Sequence, residues 1–235
     1  MIAVVTSTIK PSTEQGGNIK SFYSFEERLD QTRATLSALQ SKGFDAIFLI
    51  DNSPLLNDLQ LRELLSDFPR VKLFHMQQYQ FVNKGLNELL MLLFIAKYLP
   101  PGQNIFKITG RYYPTELFKK PIFQDIAFKG YNYKNKTGTI STRAYWIKDA
   151  VTFEGVLLKC LNEVFAYPER IVGARSLLKN LSSFFFKKTQ QPLNISIEFA
   201  AANVLKAGSY NTTELDMINI EGLVAGAGHK EKIAE

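Results

Sequence analysis

Cysteine, histidine and tryptophan are nearly absent from this sequence of 235 residues, which holds one Cys, two His and one Trp. A single thiol, Cys160, excludes an internal disulfide, and its place in an apolar helical pattern reads as a buried, inert side chain. His75 and His229 stand far apart with no Cys or His neighbours, which argues against a zinc site. Long apolar runs are missing too. The stretch from Leu86 to Leu99 is the longest that apolar residues dominate, and Asn87, Glu88 and Lys97 interrupt it short of a membrane span. Met1-Ile2-Ala3-Val4-Val5 is too short for the apolar core of a signal peptide, and Lys10 and Pro11 follow soon after, so a cytoplasmic location is expected.

What is present is ordinary for a soluble enzyme: 46% apolar and 21% charged residues, in a length that suits one large domain. The net charge of +6 favours anionic partners such as nucleotides, acidic sugars or phospholipid headgroups. It is not the dense basic stripe of a nucleic-acid binder, so no nucleic acid is expected. Eighteen Phe and ten Tyr leave aromatic surface to line a groove as well as a core.

Ile2-Ala3-Val4-Val5-Thr6-Ser7 reads as a buried strand that runs out into hydroxyls. Ser24 and Glu27 form a capping-box signature for a helix whose Leu29, Thr32, Leu36 and Leu39 share one face and which Gly43 ends. A strand over 46–50 runs into Asp51-Asn52-Ser53-Pro54. A helix carrying Leu59 to Phe68, a strand over 71–74 and a helix opening at Asn83-Lys84-Gly85 follow. Alternation of this kind predicts a mainly parallel sheet with helices on both faces. In the second half, strands are expected over 125–133 and 139–147, and helices over 153–165, 174–186 and 196–207. Short strands are expected over 215–220 and 223–225.

Chemistry gathers at Ile105-Phe106-Lys107-Ile108-Thr109-Gly110-Arg111-Tyr112. Here a buried strand breaks at a glycine, which permits close backbone approach, and then presents a guanidinium and a phenol. Open α/β sheets bind ligands beyond the carboxyl ends of their strands. Three loops meet at that edge: Thr6-Ser7-Thr8, Asp51-Asn52-Ser53 and Thr109-Gly110-Arg111-Tyr112, with Lys84 beside them. Carboxylates that accept from a base or ribose and cations that balance a diphosphate are what a nucleoside diphosphate needs. Arg28 and Gln31, one turn apart on the first helix, are further candidates for the nucleotide, or plain surface residues.

This order of elements resembles that of the GT-A-type nucleotide-sugar glycosyltransferases, most nearly the inverting family 2 group. Phe48-Leu49-Ile50-Asp51-Asn52-Ser53 is similar to that family's Asp-Asp-Gly-Ser-like run, and Asn83-Lys84-Gly85 loosely to its Arg-Asn-x-Gly-like helix start. The Lys-Ile-Thr-Gly-Arg-Tyr run resembles one found in small bacterial and viral polysaccharide-type transferases. It stands where family 2 has the metal-holding Asp-x-Asp. The resemblance covers residues 1–115 and implies a GT-A-like α/β domain over 1–228, with a mostly parallel sheet flanked by helices. Residues 1–115 would be the nucleotide-sugar-binding half, 116–228 a helical acceptor-side half and 229–235 a disordered tail. It implies a nucleotide-diphospho-sugar donor and a glycan or lipid-linked glycan acceptor.

The departure at Asp-x-Asp leaves no evident cage for a hard cation, so neither a metal nor another cofactor is expected. Arg111, helped by Lys84 or Lys107, would then neutralise the leaving diphosphate. An inverting transferase also needs a general base. In family 2 this is an acidic residue at a helix start after the acceptor-side strands, and Glu198 in Ile195-Ser196-Ile197-Glu198-Phe199 occupies a similar place, with Asp149 and Glu154 in reserve. Tyr112, Tyr113, Tyr131, Tyr133, Tyr145 and Trp146 offer faces for sugar rings or for the core. Phe184-Phe185-Phe186-Lys187-Lys188 is either a peripheral anchor at an anionic membrane or a helix end. Two other functions fit the pattern: nucleotidyl transfer that builds a nucleotide-sugar, for which Gly16-Gly17 is a poor signature, and a non-catalytic glycan- or nucleotide-binding module.

Overall fold

A computed structural model describes residues 1–11, 23–78, 81, 83–166, 174, 177–178, 181, 195–226 and 229–235. The fold class is the expected one, an α/β domain built on a mostly parallel sheet with helices on both faces. The parallel part runs β3 (Val71–His75), β2 (Ala46–Asp51), β1 (Ile2–Ser7) and β4 (Ile105–Thr109). Antiparallel β7 (Thr139–Ile147) pairs with β4, then with β6 (Ile126–Tyr131), and β8 (Thr212–Leu215) lies at the far edge.

Side-chain alternation along β1 sorts the core into two layers. Ile2 and Val4 face α3 (Lys84–Ala96), α4 (Ala150–Ala166) and α5 (Ile197–Lys206), whereas Ala3 and Val5 face α1 (Phe25–Ser41) and α2 (Asp58–Leu64). The helices start where short polar side chains cap them. Ser24 with Glu27 and Asn57 with Gln60 close full capping boxes, and the Asn83 side chain accepts from Leu86 N. A cluster of Phe44, Phe106, Phe118 and Trp146 fills the α1 layer, with ring centroids 4.7 Å apart for Phe106 and Trp146.

The segment 229–235, expected as a disordered tail, is a correction: β10 (His229–Ala234) pairs with β9 (Ile220–Gly226), which pairs with β5 (Tyr112–Pro114). Glu235 is buried, and its backbone exchanges hydrogen bonds with Ile220. Pairing with the neighbouring β9, itself anchored on distant β5, orders this segment, and charge content does not reveal it. Gly222 permits it. A Cβ there would stand 2.1 Å from the Arg111 carbonyl oxygen, so only glycine lets β9 approach β5. The strand expected over 215–220 is likewise divided, with β8 ending at Leu215 and β9 beginning at Ile220. The expected helix over 174–186, apart from positions 174, 177–178 and 181, the Phe184–Lys188 run and Gly16-Gly17 lie outside the described residues. Among the described residues no helix is long and apolar enough to cross a membrane.

Candidate active site

The carboxyl ends of β1, β2 and β4 lie side by side, because Ser7 pairs with Asp51 and Thr6 with Thr109. At this edge the Asp51 carboxylate is fully buried and engaged by the protein. Ser7 Oγ donates to it at 2.6 Å, Ile9 N at 2.9 Å and Ser53 N at 2.8 Å. It ties the β1 and β2 loops together, and no free acceptor faces outward. Thr8 Oγ1 donates to Asn52 Oδ1 at 2.6 Å, and Lys10 N to Ser53 Oγ at 2.8 Å, so the same two loops are joined twice more.

The Gly110 turn is held from two sides. Gly110 N donates to Thr6 O at 2.8 Å, and Thr32 Oγ1 of α1 donates to Gly110 O at 3.3 Å. One helical turn on, Thr35 Oγ1 donates to Tyr112 O at 2.8 Å. A Cβ on Gly110 would meet Ser7 Cβ, Thr32 Oγ1 and Thr6 O, each at 3.3 Å. The glycine therefore serves the close approach of β4 to β1 and α1.

Arg111 is half-buried beside this turn and makes no ion pair with a carboxylate among the described residues. Its neighbour is Arg28 of α1, whose Nη1 donates to Thr8 O at 2.9 Å. Burial, and then the charge of Arg111, lower Arg28 from the ordinary guanidinium value to about 10, while Asp51 and Tyr23 oppose the shift. Two like charges held together at the strand ends favour an anion between them. Gln31, the other residue weighed on α1, buries its side-chain oxygen with no partner among the described residues.

A second polar group lies on the α3 face. Lys107, mid-strand in β4 and fully buried, points to this face. It donates to Glu88 Oε1, to Thr142 O and, at 3.1 Å, to Thr109 Oγ1. Thr6 Oγ1 also donates to Glu88, at 2.9 Å. Ile108 pairs with Ala144, which sets Thr142 and Arg143 of β7 beside Thr109 and Gly110. Thr142 Oγ1 then donates to Glu198 Oε1 at 3.2 Å. Glu198 is half-buried in the first turn of α5, which Ser196 caps. Asn83 Nδ2 donates to Ile195 O at 3.0 Å and brings the starts of α3 and α5 together, with Lys84 exposed at the first position of α3.

The reserve carboxylates are elsewhere. Ile147 pairs with Ile105 at the opposite edge of the sheet, so Asp149 lies away from Arg111, where its Oδ1 accepts from Thr152 N at 2.8 Å. Glu154 is exposed on α4. Of the aromatic candidates, Trp146 is fully buried, Tyr112 is a core residue and Tyr133 packs edge-on against Phe128. Tyr113 donates to Glu221 at 2.9 Å, Tyr145 lies under Lys107, and Tyr131 is 40% exposed.

Sequence reasoning missed one cluster at this edge. Glu235 accepts from Tyr131 Oη, from Arg143 Nη1 and, at 2.7 Å, from Ser141 Oγ, while Arg143 lies over the Tyr112 ring, 5.8 Å from its centroid. Burial pushes the Tyr112 phenol up, opposed by Arg111 and Arg143, which places both guanidiniums around that ring. The available signal was Arg143, a lone cation within a strand of small and aromatic residues. A cavity of about 30 Å³ between β4, β7 and the helices α3 to α5, with Glu88, Lys107 and Thr142 among its lining, has room for a water or two. Among the described residues no group of three or more His, Cys, Asp and Glu side chains is placed to hold a metal ion.

No protein-family model matches the sequence, and no curated protein does. Solved structures do. A nucleoside-diphosphate-sugar pyrophosphorylase from Vibrio cholerae RC9 superposes with a TM-score of 0.50 at 10% identity, over 94% of each chain. The likeness is one of fold. Weaker similarities are to the inositol-1-phosphate CTP transferase from T. maritima (TM-score 0.47, 12% identity, 91% of this chain and 84% of that one) and to an active-site mutant of LgtC (0.45, 8%, 77% and 70%).

Proposed function

We propose that this chain moves a sugar from a nucleoside-diphosphate-sugar to a glycan acceptor, inverting the anomeric centre and using fixed cations in place of a divalent metal. The observation that carries the reading is the convergence of Arg28 and Arg111 at the ends of β1 and β4, with Glu198 across the same edge. The acceptor hydroxyl would attack the anomeric carbon as Glu198 takes its proton. The bond from that carbon to the diphosphate breaks, and the charge that builds on the leaving oxygen meets guanidinium groups already in place. Asp51, which the sequence offered as an acceptor for a base or ribose, acts in this reading by holding the loops that frame the site.

The shared fold with a protein named as a nucleoside-diphosphate-sugar pyrophosphorylase favours a second reading, nucleotidyl transfer that builds a nucleotide-sugar. One experiment separates the two. UDP-, GDP- and dTDP-sugars are incubated with glycan acceptors in EDTA and assayed for released nucleoside diphosphate. Nucleoside triphosphates with sugar 1-phosphates are assayed in parallel for pyrophosphate. The proposal expects nucleoside diphosphate alone. Pyrophosphate alone would establish the second reading, and binding without either product would make the chain a binding module.

A further inference from the structure

The proposed transfer leaves Glu88 without a task, although the site is built around it. Its Oε1 accepts from Thr6 Oγ1 of β1 at 2.9 Å, from Thr109 Oγ1 of β4 at 3.4 Å and from Lys107 Nζ. Its Oε2 has no hydrogen-bond partner among the described residues and is not buried, and the side chain keeps 18% of its exposure. An ion pair that served only to neutralise the buried Lys107 would have no need of an open oxygen at the ligand edge. A carboxylate pinned at one oxygen and open at the other presents a fixed hydrogen-bond acceptor.

The surroundings determine what it accepts from. Lys107 binds Glu88 and Thr142 O, and the Thr142 hydroxyl binds Glu198, so the two carboxylates flank Thr142 on the α3 face of the sheet. Arg28 and Arg111 stand on the α1 side of the same edge. In the proposed transfer the sugar lies beside Glu198, so a ligand whose phosphates lie on the guanidiniums would have its sugar, and not its nucleoside, on the side of the two carboxylates. There a carboxylate accepts from a hydroxyl and repels another anion. We infer that Glu88 is a specificity-determining residue that accepts a hydrogen bond from a hydroxyl of the donor sugar and selects a neutral, hydroxyl-bearing sugar over one that carries a carboxylate. This rests on the reading of the site as one for a nucleoside-diphosphate-sugar.

Titration calorimetry on the full chain with UDP and UDP-glucose, GDP and GDP-mannose, and dTDP and dTDP-glucose tests it. For the pair that binds, Glu88→Gln lowers the ratio of nucleotide-sugar affinity to nucleoside diphosphate affinity at least tenfold. Glutamine keeps an acceptor for Lys107 but lacks the charge that strengthens the bond to the sugar. An unchanged ratio, with the nucleoside diphosphate still bound, overturns the role of Glu88 and leaves the transfer reading standing. Should Glu88→Gln fail to fold, the unaltered protein decides. At least one mono-deoxy analogue of the bound nucleotide-sugar binds tenfold more weakly than its parent, and equal binding of all of them overturns the inference. If no nucleoside diphosphate binds the unaltered protein, the transfer reading itself falls.

Discussion

Among single residues, the proposed transfer rests first on Arg111 and Arg28. A guanidinium grips phosphate oxygens with two parallel hydrogen bonds, which lysine cannot do. Its attraction grows as the leaving diphosphate gains charge, so losing it lowers turnover more than donor affinity. Arg111→Ala is expected to lower kcat by about 10²–10³-fold, with Arg111→Lys in between and both variants folded by circular dichroism. A surface ion pair would be worth about 1 kcal/mol or less, and its loss would leave kcat intact. Glu198→Gln keeps shape and the bond from Thr142 but cannot take a proton, and is expected to cost about 10²–10⁴-fold in turnover with donor affinity held. Asp149→Asn, at the far edge of the sheet, is expected to keep turnover. Arg28 gives the site a pH dependence. Its charge is disfavoured in the fold by burial and by Arg111, so the folded state releases its proton at about 10, sooner than the unfolded chain does. The stability penalty is therefore complete below about 10 and is relieved as pH rises from there toward the ordinary guanidinium value. A bound diphosphate favours the protonated form. Nucleoside diphosphate affinity should thus fall as pH rises through about 10, measured by titration calorimetry. An affinity that does not change there would remove Arg28 from the site.

Elements hold these residues in place through contacts that pattern alone reveals unevenly. The capping signature at Ser24 and Glu27, the six-residue strand ending at Ser7 and the helix start at Asn83 were all legible, since each is a local signal. What fixes Arg111 was not. Thr32 read as a core position on the α1 face and Thr35 carried no signal, yet their hydroxyls hold the Gly110 and Tyr112 carbonyls, and this depends on how α1 lies against β5. Gly222 gave no local signal either, because its meaning lies in a pairing with Tyr112 more than a hundred residues away in sequence. Gly222→Ala puts a methyl group against the Arg111 carbonyl, and is expected to destabilise by about 1–3 kcal/mol in urea unfolding and to lower turnover by displacing Arg111. A variant as stable and active as the parent would show that β9 does not support the site.

Across the whole molecule, the β-α alternation was enough to read the parallel sheet, and through it the edge where Thr6, Asp51 and Thr109 meet. Length and charge gave no hint of the antiparallel insertion of β7, which carries Thr142 and Arg143 to the same edge, nor of β10, which delivers Glu235. The roles of Lys107 and Glu88 were hidden for a similar reason: a lysine inside a buried strand has meaning only once its partner on α3 is known. The resulting arrangement places Arg28 and Arg111 on the α1 side of the edge and Glu88 and Glu198 on the α3 side, and the proposed transfer depends on the two guanidiniums meeting a diphosphate. The direct measurement is calorimetric titration of UDP, GDP and dTDP into the protein and into Arg111→Ala, both in EDTA. One nucleoside diphosphate is expected to bind the unaltered protein and, at a hundred times its Kd, to stabilise the fold by about 2.7 kcal/mol. Arg111→Ala is predicted to bind it at least tenfold more weakly. Binding that appears only when a divalent cation is added, or that is equal in the two proteins, would contradict the proposed transfer.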